Sequence, residues 1–336
     1  MKILLNCHVP FLLAHGGGQI QIEQTKVGLE QIGVEVEHLR WWDDTQTADV
    51  LHFFGRIPVG LVRLAQAKNI KVVLSDLLTE QGSRSRGRLK QQKLLSRVLK
   101  RTLPSSLVTS FNWESYQLVD ACVALTSYEA ELMAYLFDAP RERLHVVANG
   151  VEEVFLQSRA VDRGPWLVCT ATITERKRVV ELAEAAVRAA TPLWVVGKAY
   201  SDSDPYAARF ARLVAQHPKI LRFEGAITNR TRMAEVYRES CGFVLLSTME
   251  SLSLSALEAA ACECPLLLSD LPWARTVFQE SVSYCPITAD TARTAAALKS
   301  FYDAAPNLKP PARPLTWAEV AKQFRTIYEG LLKTSR

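Results

Sequence analysis

The stretch GFVLLSTMESLSLSALE, residues 242–258, carries the two patterns that decide the fold. Its first part, at 243–246, is an apolar run without a polar face. Strands that are buried on both faces are typical of parallel sheets covered by helices. A serine-rich turn follows, and the pattern after it predicts a helix that begins near Ser253. The run LWVV at 193–196 repeats the first pattern, so the stretch is one unit of a longer strand–helix alternation.

This alternation extends through almost the whole chain. Strands are predicted at 2–7, 34–39, 49–53, 70–75, 119–125 and 143–148 in the first half, and at 166–171, 192–197, 220–225, 242–247, 265–269 and 282–285 in the second. Helices are predicted at 19–32, 58–67, 87–101 and 127–137, and then at 177–190, 204–216, 230–239, 253–263, 272–279, 289–304 and 315–333. Two successive doubly wound, Rossmann-like α/β units are the simplest architecture that fits this order.

The two units are predicted to join in a polar linker. Asn149-Gly150 is a turn signal after a strand, and the polar residues that follow end in Gly164-Pro165 before the next strand begins. We therefore predict an N-terminal domain over 1–155, a C-terminal domain over 156–314 and a final segment over 315–336. The last helix is expected to cross back towards the first domain, and the two sheets are expected to face a central cleft.

The composition excludes several classes of protein. The 336 residues are 48% hydrophobic and 22% charged, which is usual for a folded chain and unusual for a disordered one. No apolar run approaches the roughly 20 residues of a membrane-spanning helix, and the apolar start is too short for a signal peptide. The seven scattered cysteines indicate reduced thiols and a cytoplasmic protein. The six histidines lack metal-site spacing, and no metal is expected. The net charge of +5 is mild and says little about nucleic acid on its own; no nucleic-acid partner is expected.

Unusual residues follow several strands of the first half, at the edge where parallel sheets bind their ligands. Gly16, Gly17 and Gly18 open a helix after the first strand, which lets backbone amides approach an anion; a flexible turn is the alternative. The triplet is not the GxGxxG pattern of dinucleotide-binding proteins. Three further residues are predicted to lie on the acceptor side of the cleft, namely His15, His52 and Asp76.

The second half shows the same placement. Lys177, Gly197 and Gly225 each follow or end a predicted strand. Lys177 lies among three consecutive basic residues at the start of a helix. Because a cation at a helix N-terminus interacts unfavourably with the helix dipole, this pattern indicates an anion nearby. A solvated basic face is the alternative interpretation.

Glu250 and Glu258 form a sharper pattern. If their eight-residue separation were helical, it would rise about 12 Å, roughly the length of a diphosphate with a ring at either end. The helix N-terminus between the carboxylates would suit the diphosphate, and the carboxylates would accept hydrogen bonds from the hydroxyls of two sugars. The alternative is a solvated Glu250 and an ordinary helical Glu258.

Residues 84–101 contain eight cations and no acid. Leu89, Leu94, Val98 and Leu103 give an approximate apolar stripe. Two interpretations are equally supported: the segment contacts an anionic membrane surface or an anionic acceptor, or it packs on the sheet with a solvated basic face. The first interpretation predicts a cytoplasmic protein that is peripheral to the inner face of the membrane.

The chain resembles the retaining glycosyltransferases of the GT-B fold, specifically the large group 1 family, also called family 4. Motifs along nearly the whole chain carry the resemblance: HGGGQ at 15–19, VVANGV at 146–151, VVG at 195–197, FEG at 223–225, ACECP at 261–265, Ser269-Asp270, and Trp317, Val320 and Tyr328 in the last helix. The most specific motif is Glu250 followed, after seven residues, by Glu258 and an alanine.

The resemblance implies a role for each site residue. Glu250 would contact the donor sugar, Glu258 the ribose hydroxyls and Lys177 the diphosphate. The amides at 252–253 would meet the distal phosphate, and residues 225–227 would lie against the base. The donor-binding set is Gly17, Gly18, Arg176, Gly197, Gly225, Ala226, Ile227, Leu252, Ser253 and Glu258, with Lys177 and Glu250 as the catalytic residues.

Three positions depart from the family pattern. Thr172 stands where the family has an arginine five residues before the lysine, and Arg176 is the candidate replacement. Ser251 and Ser253 stand in place of glycines after the first glutamate. Asp76 lies in the region where an acceptor-side histidine is often found.

The resemblance implies an enzyme that moves a hexosyl group from a nucleotide-sugar donor to a glycan, lipid-linked or small-molecule acceptor, with retention of the anomeric configuration. It implies no metal and no cofactor beyond the nucleotide-sugar co-substrate. Two other functions remain open: a GT-B sugar-nucleotide epimerase, and a non-catalytic protein that binds nucleotide-sugars or carbohydrates. Glu250, Glu258 and Lys177 favour the transferase, whereas Thr172 favours the binding protein.

Overall fold

The computed structural model describes residues 1–8, 10–12, 16–157, 162–201 and 203–333. The chain divides into two compact units: unit 1 is Met1–Gly150 with Leu315–Arg336, and unit 2 is Val151–Pro314. Each unit contains a six-stranded parallel sheet flanked by helices. The predicted α/β class with two doubly wound sheets is therefore confirmed.

Unit 1 contains the first half of the chain and the last helix. Its strands are β1 (Lys2–Cys7), β2 (Glu35–His38), β3 (Val50–Phe54), β4 (Lys71–Ser75), β5 (Ala121–Ala124) and β6 (Leu144–Val146), in the order β2-β1-β3-β4-β5-β6. Its helices are α1 (Gly17–Gln31), α2 (Val59–Ala67), α3 (Thr79–Gly82), α4 (Arg86–Thr102), α5 (Ser105–Ser110), α6 (Ser115–Leu118), α7 (Ser127–Phe137) and α15 (Trp317–Lys333). A short 3-10 helix spans Arg141–Arg143.

Unit 2 repeats the architecture. Its strands are β7 (Leu167–Thr170), β8 (Leu193–Val196), β9 (Leu221–Phe223), β10 (Gly242–Leu245), β11 (Leu266–Ser269) and β12 (Ser283–Cys285), in the order β12-β11-β10-β7-β8-β9. Its helices are α8 (Glu153–Leu156), α9 (Val179–Arg188), α10 (Pro205–Gln216), α11 (Arg230–Glu239), α12 (Leu254–Ala261), α13 (Pro272–Phe278) and α14 (Thr291–Ala304), with 3-10 helices at Glu175–Lys177 and Ala305–Asn307. Strand order reverses between β7 and β10, which makes this position the topological switch point of the sheet.

The apolar runs explain why these segments are strands. β7, β8, β10 and β11 are buried along their whole length, as the runs without a polar face predict. Each of the predicted strands overlaps an observed one. The short helices α3, α5, α6 and α8 were not predicted from the sequence, because four to six residues are too few to show a helical period.

The last helix, α15, packs against α1 within unit 1. A Cβ atom built on Gly28 of α1 would lie 2.7 Å from the carbonyl oxygen of Trp317, so this close approach requires glycine. Further along α15, Phe324 and Tyr328 are buried. The helix therefore contributes side chains to the core of a unit whose other residues come from the opposite end of the sequence.

His52 connects α15 to the sheet. It is the third residue of β3 and is 0% exposed. Its Nδ1 lies 2.7 Å from the Tyr328 hydroxyl, and its Nε2 lies 2.7 Å from Ser75 Oγ. The prediction that His52 lines the acceptor side is wrong, because the strand continues through Phe54 and places the imidazole in the core rather than at the strand end.

We expect His52 to make unit 1 sensitive to acid. Burial lowers the pKa of His52 to about 3, so the folded protein keeps a neutral ring where the unfolded chain, with an ordinary pKa of about 6.5, binds a proton. The free energy of unfolding should therefore fall below about pH 6.5, by up to roughly 1.4 kcal/mol per pH unit for this one proton. Urea unfolding of the wild type and His52→Gln at several pH values measures the effect.

His217→Gln is the matched control, because His217 follows α10 in unit 2 and lies outside this core. The control should keep the acid sensitivity of the wild type. For His52→Gln, the free energy of unfolding should fall less steeply between about pH 6.5 and 4.5, by the contribution of about one proton. Equal slopes for all three proteins would contradict the prediction.

Candidate functional site

The loops that follow β7 and β10 are joined at the switch point of unit 2. The Thr248 amide donates a hydrogen bond to the carbonyl oxygen of Arg176 at 2.8 Å. Arg176 Nη1 donates to the carbonyl oxygen of Met249 at 3.0 Å. Thr174 Oγ1 caps the short 3-10 helix by accepting from the Lys177 amide at 3.4 Å. These bonds hold Arg176 and Lys177 against the turn that contains Glu250.

Glu250 lies between two cations at this position. Its Oε1 accepts hydrogen bonds from Lys177 Nζ and, at 3.2 Å, from Arg176 Nη1. The side chains of Lys177 and Glu250 are 12% and 11% exposed, whereas that of Arg176 is 40% exposed. Lys177 and Glu250 are therefore not solvated residues, and the structure brings together the two side chains that were predicted as catalytic.

Helix α12 begins directly after this turn. Ser253 is its N-cap, and the Ser253 Oγ accepts from the Ala256 amide at 3.3 Å. Leu252 and Ser253 are both buried. They lie two and three residues after Glu250, at the N-terminus of α12, where the phosphate-facing amides are expected.

Glu258 lies one turn further along α12 and is 6% exposed. One carboxylate oxygen accepts from Arg230 Nη2, and the other accepts from the Tyr237 hydroxyl at 3.0 Å. Arg230 Nε also donates to Glu152 Oε2 at 2.7 Å. Burial raises the pKa of Glu258 above its ordinary value, and Arg230 opposes this shift. Glu258 is thus not an ordinary solvated helix residue.

The sequence did not single out Arg230, Tyr237 or Glu152. Arg230 and Tyr237 stand seven residues apart in α11, which places them on the same face of the helix two turns apart. That spacing, directly after the N-cap Asn229, was the available signal. It could predict a shared partner for both side chains but not the identity of that partner.

The loops after β8 and β9 contain the predicted glycines. The Gly197 amide donates to the carbonyl oxygen of Gly225 at 2.7 Å. A Cβ built on Gly197 would lie 1.9 Å from the carbonyl oxygen of Ala171, so Gly197 has a structural reason to be glycine. Ala226 is exposed and Ile227 is half-buried, both in the irregular segment that follows β9.

In unit 1, Gly17 and Gly18 are exposed in the first turn of α1, after Gly16 at a φ of 139°. This positive φ favours glycine. His15 was predicted to adjoin these residues on the acceptor side, and it lies outside the residues that the structure describes.

Asp76 directly follows β4 and belongs to a polar cluster at the carboxyl edge of the unit 1 sheet. It accepts a hydrogen bond from the Tyr116 hydroxyl, and Arg56 Nε lies 3.6 Å from its Oδ2. The Arg56 guanidinium lies 4.6 Å from the ring centroid of Phe137. Burial raises the pKa of Asp76, while Tyr116 and Arg56 lower it. The exposed His8 completes the cluster, with Nε2 at 2.8 Å from the carbonyl oxygen of Arg56.

Helix α4 presents the segment 84–101 in an arrangement that the stripe did not predict. Its buried positions are Leu89, Lys93 and Ser96, and Lys93 Nζ donates to Asp138 Oδ1 at 2.5 Å. Leu94, Leu95 and Val98, on the opposite side, are 64%, 58% and 46% exposed. Five of the cations are also exposed: Arg86, Arg88, Lys90, Arg97 and Arg101.

Among the residues that the structure describes, no group of three or more histidine, cysteine, aspartate or glutamate side chains is arranged to hold a metal ion. None of the helices they form combines the length and the apolar character that crossing a membrane requires.

A known protein family matches the part of unit 2 that contains this site. Residues 164–304, which contain the Lys177, Glu250 and Glu258 positions, match the model of the family "Glycosyl transferases group 1". No protein with curated annotation matches the chain.

Solved structures share the architecture of the whole chain. Sucrose-phosphate synthase from Thermosynechococcus elongatus is 16% identical, with a TM-score of 0.70 and coverage of 99% of this chain and 100% of its own. HepE from Anabaena in complex with UDP is 14% identical, with a TM-score of 0.65 and 99% coverage of both chains. A glycosyltransferase from Rickettsia africae is 12% identical, with a TM-score of 0.65 and 99% coverage of both. At these identities the similarity establishes a shared fold.

The predicted GT-B fold is therefore confirmed. The family match in unit 2 and the shared fold together support a glycosyltransferase as the class of protein.

We expect Gly197 to be essential for the stability of unit 2. Gly197→Ala would place a methyl group against the Ala171 carbonyl, at a backbone φ of +154°, so it should lower the free energy of unfolding by about 3 kcal/mol. Gly225→Ala is the matched control, because Gly225 has a φ of +51° but nothing within 4 Å of a built Cβ. The control should cost roughly 1 kcal/mol of backbone strain. Urea unfolding measures both, and equal losses would contradict the steric argument.

Proposed function

We propose that this protein is a retaining glycosyltransferase that transfers a hexosyl group from a nucleotide-sugar donor without a metal ion. The observation that carries the proposal is the meeting of Lys177, Arg176 and Glu250 at the topological switch point, directly before the N-terminus of α12. Open α/β sheets bind ligands at this position, and a helix N-terminus with nearby cations favours an anion such as a diphosphate.

The donor is a nucleotide-sugar whose diphosphate lies between Lys177 and the α12 N-terminus. HepE, which shares the fold, has been crystallised with UDP, with UDP and glucose, and with UDP-glucose. In this chain Glu258 would accept hydrogen bonds from the ribose and Glu250 from the donor sugar. The spacing of the two carboxylates along the turn and α12 supports this division.

The chemistry follows from the placement of the cations. As the bond between the anomeric carbon and the diphosphate oxygen breaks, its electron pair remains on the diphosphate, where Lys177 and the α12 amides stabilise the growing charge. The acceptor oxygen bonds to the same face of the anomeric carbon, and its proton passes to the departing phosphate oxygen. Retention then requires no pair of carboxylates like that of a glycosidase.

We expect Lys177→Ala to lower kcat by about 10²- to 10³-fold, because the lysine contacts charge that grows in the transition state. Glu258→Ala should instead raise KM, since a ribose contact is present equally in the ground and transition states. The donor is first selected by thermal shift with UDP-, GDP-, ADP- and TDP-sugars, where saturation at about 100 times Kd stabilises by roughly 2.7 kcal/mol. Steady-state kinetics in EDTA then compare the variants, and NMR of the product gives the anomeric configuration.

Arg209→Ala is the matched control, because Arg209 is an exposed residue of α10 whose partner is Glu184. It should retain wild-type kinetics. A near-normal kcat for Lys177→Ala together with a large loss for Arg176→Ala would show that Arg176 binds the diphosphate. An inverted product, or activity that EDTA abolishes, would contradict the corresponding part of the proposal.

We further propose a cytoplasmic location, an acceptor that is a glycan or a lipid-linked molecule, and a weak contact of residues 84–101 with an anionic membrane surface. Support for the contact comes from α4, where Leu94, Leu95 and Val98 are exposed. Arg97 and Arg101 flank this apolar strip and are exposed as well. Exposed leucines beside cations, without an acid in the segment, are typical of interfacial helices.

We expect Leu94→Ser/Leu95→Ser to weaken sedimentation with anionic vesicles while the fold is unchanged, because both side chains already face solvent. Arg97→Gln should weaken binding by about fivefold at low salt, since a basic residue near such a surface contributes about 1 kcal/mol. Leu64→Ser is the matched control, because Leu64 of α2 is 63% exposed outside this segment. Equal sedimentation of the wild type with neutral and anionic vesicles would contradict the contact.

A further inference from the structure

The buried Glu258 carboxylate needs an explanation that the proposed function does not supply. An ionised carboxylate accepts stronger hydrogen bonds from ribose hydroxyls than the neutral acid does, yet Glu258 is 6% exposed, and burial favours the neutral acid. Arg230 Nη2 and the Tyr237 hydroxyl each donate to a different carboxylate oxygen. A carboxylate has about four lone-pair sites, so these two bonds leave capacity for ligand hydroxyls.

Arg230 is itself held in place. Its Nε donates to Glu152 Oε2 at 2.7 Å, and its guanidinium lies 4.7 Å from the ring centroid of Phe155. It is the first residue of α11, directly after the N-cap Asn229, and its side chain is 33% exposed. The guanidinium therefore reaches the buried carboxylate from the solvent side with a fixed direction.

We propose that Arg230 is a positioning residue for the donor: it keeps the Glu258 carboxylate ionised and oriented, so that the carboxylate can accept hydrogen bonds from the hydroxyls of a ribonucleoside diphosphate. The proposal rests on the proposed function, because it assigns the ribose to Glu258. It adds that donor affinity depends on Arg230, which lies outside the Glu250–Glu258 motif. It also adds that Arg230 determines how far the pH can fall before donor binding weakens.

The surroundings of Glu258 make the pH dependence simple. Glu258 contacts Arg230 and Tyr237 of α11. Glu152, which precedes α8, is the other partner of Arg230. Cys262, the C-cap of α12, lies one helical turn after Glu258. Burial raises the pKa of Cys262 to about 12 and that of Tyr237 well above its ordinary value, so both stay neutral at ordinary pH. Removal of Arg230 should raise the pKa of Glu258 further, and donor binding should then begin only at higher pH.

The test is calorimetric binding of UDP, GDP and ADP, each with its 2′-deoxy counterpart, between about pH 5 and 9. We expect Arg230→Gln to weaken binding of the preferred ribonucleotide by about tenfold near pH 7, and to move the acidic limb of the affinity profile to higher pH. The wild type should prefer the ribonucleotide over its 2′-deoxy counterpart, and the variant should have lost most of that preference. Arg230→Lys should restore part of the affinity, and its affinity should weaken in acid at the same pH as that of the wild type.

Arg232→Gln is the matched control, because Arg232 lies on the same helix and pairs with Glu235 and Glu239 instead. It should behave as the wild type. If the wild type binds a ribonucleotide with a 2′-hydroxyl preference and Arg230→Gln keeps both the affinity and the acidic limb, the role of Arg230 is wrong while the proposed function stands. If the wild type binds a TDP-sugar but none of the three ribonucleoside diphosphates, this inference fails and the proposed function stands; if it binds no nucleotide-sugar of the donor panel either, both fail.

Discussion

A parallel sheet whose strands are covered on both faces has no place along them for an unpaired charge, and this constraint organises both units. β7, β8, β10 and β11 are buried throughout, so Lys177 and Glu250 can occur only beyond the strand ends. Several buried polar side chains inside strands are paired with a neighbour. His52 of β3, for example, bonds to Ser75 of β4.

The two glutamates near the N-terminus of α12 are each held in an ion pair. Glu250, before the helix, is paired with Lys177, and Glu258, within it, is paired with Arg230. Buried ion pairs lose much of their attraction to the cost of desolvation, so they contribute little to stability. Ion pairs do orient the side chains that form them. Here they orient two carboxylates, one before and one after the N-terminus of α12. The proposed binding of a nucleotide-sugar diphosphate depends on this geometry more than on extra stability.

The sequence predicted the sheets well because their signal is strong and local. Runs such as 193–196 are short and apolar at consecutive positions, which is typical of a strand that is covered on both faces. The prediction for His52 failed because the sequence pattern around this histidine is the same whether the strand ends at His52 or continues through Phe54. The sequence also placed the stripe of α4 on one face, where the structure instead buries Lys93 and exposes Leu94.

The site was predictable only in part, for a different reason. The Glu250 and Glu258 positions follow from one motif, whereas their partners come from distant segments. Arg230 lies 28 residues from Glu258 in sequence. No local period links such pairs, so the identity of the cation at each carboxylate required the structure.

The packing of α15 on α1 has a consequence for how the chain is made. Unit 2, Val151–Pro314, is an insertion between two parts of unit 1. During synthesis the ribosome therefore completes unit 2 before it has produced Tyr328, which bonds to His52 in the first unit to emerge. The sheet of unit 1 stays incompletely covered until α15 has been synthesised. Unit 1 is therefore exposed to chaperones and proteases while the whole insertion is translated.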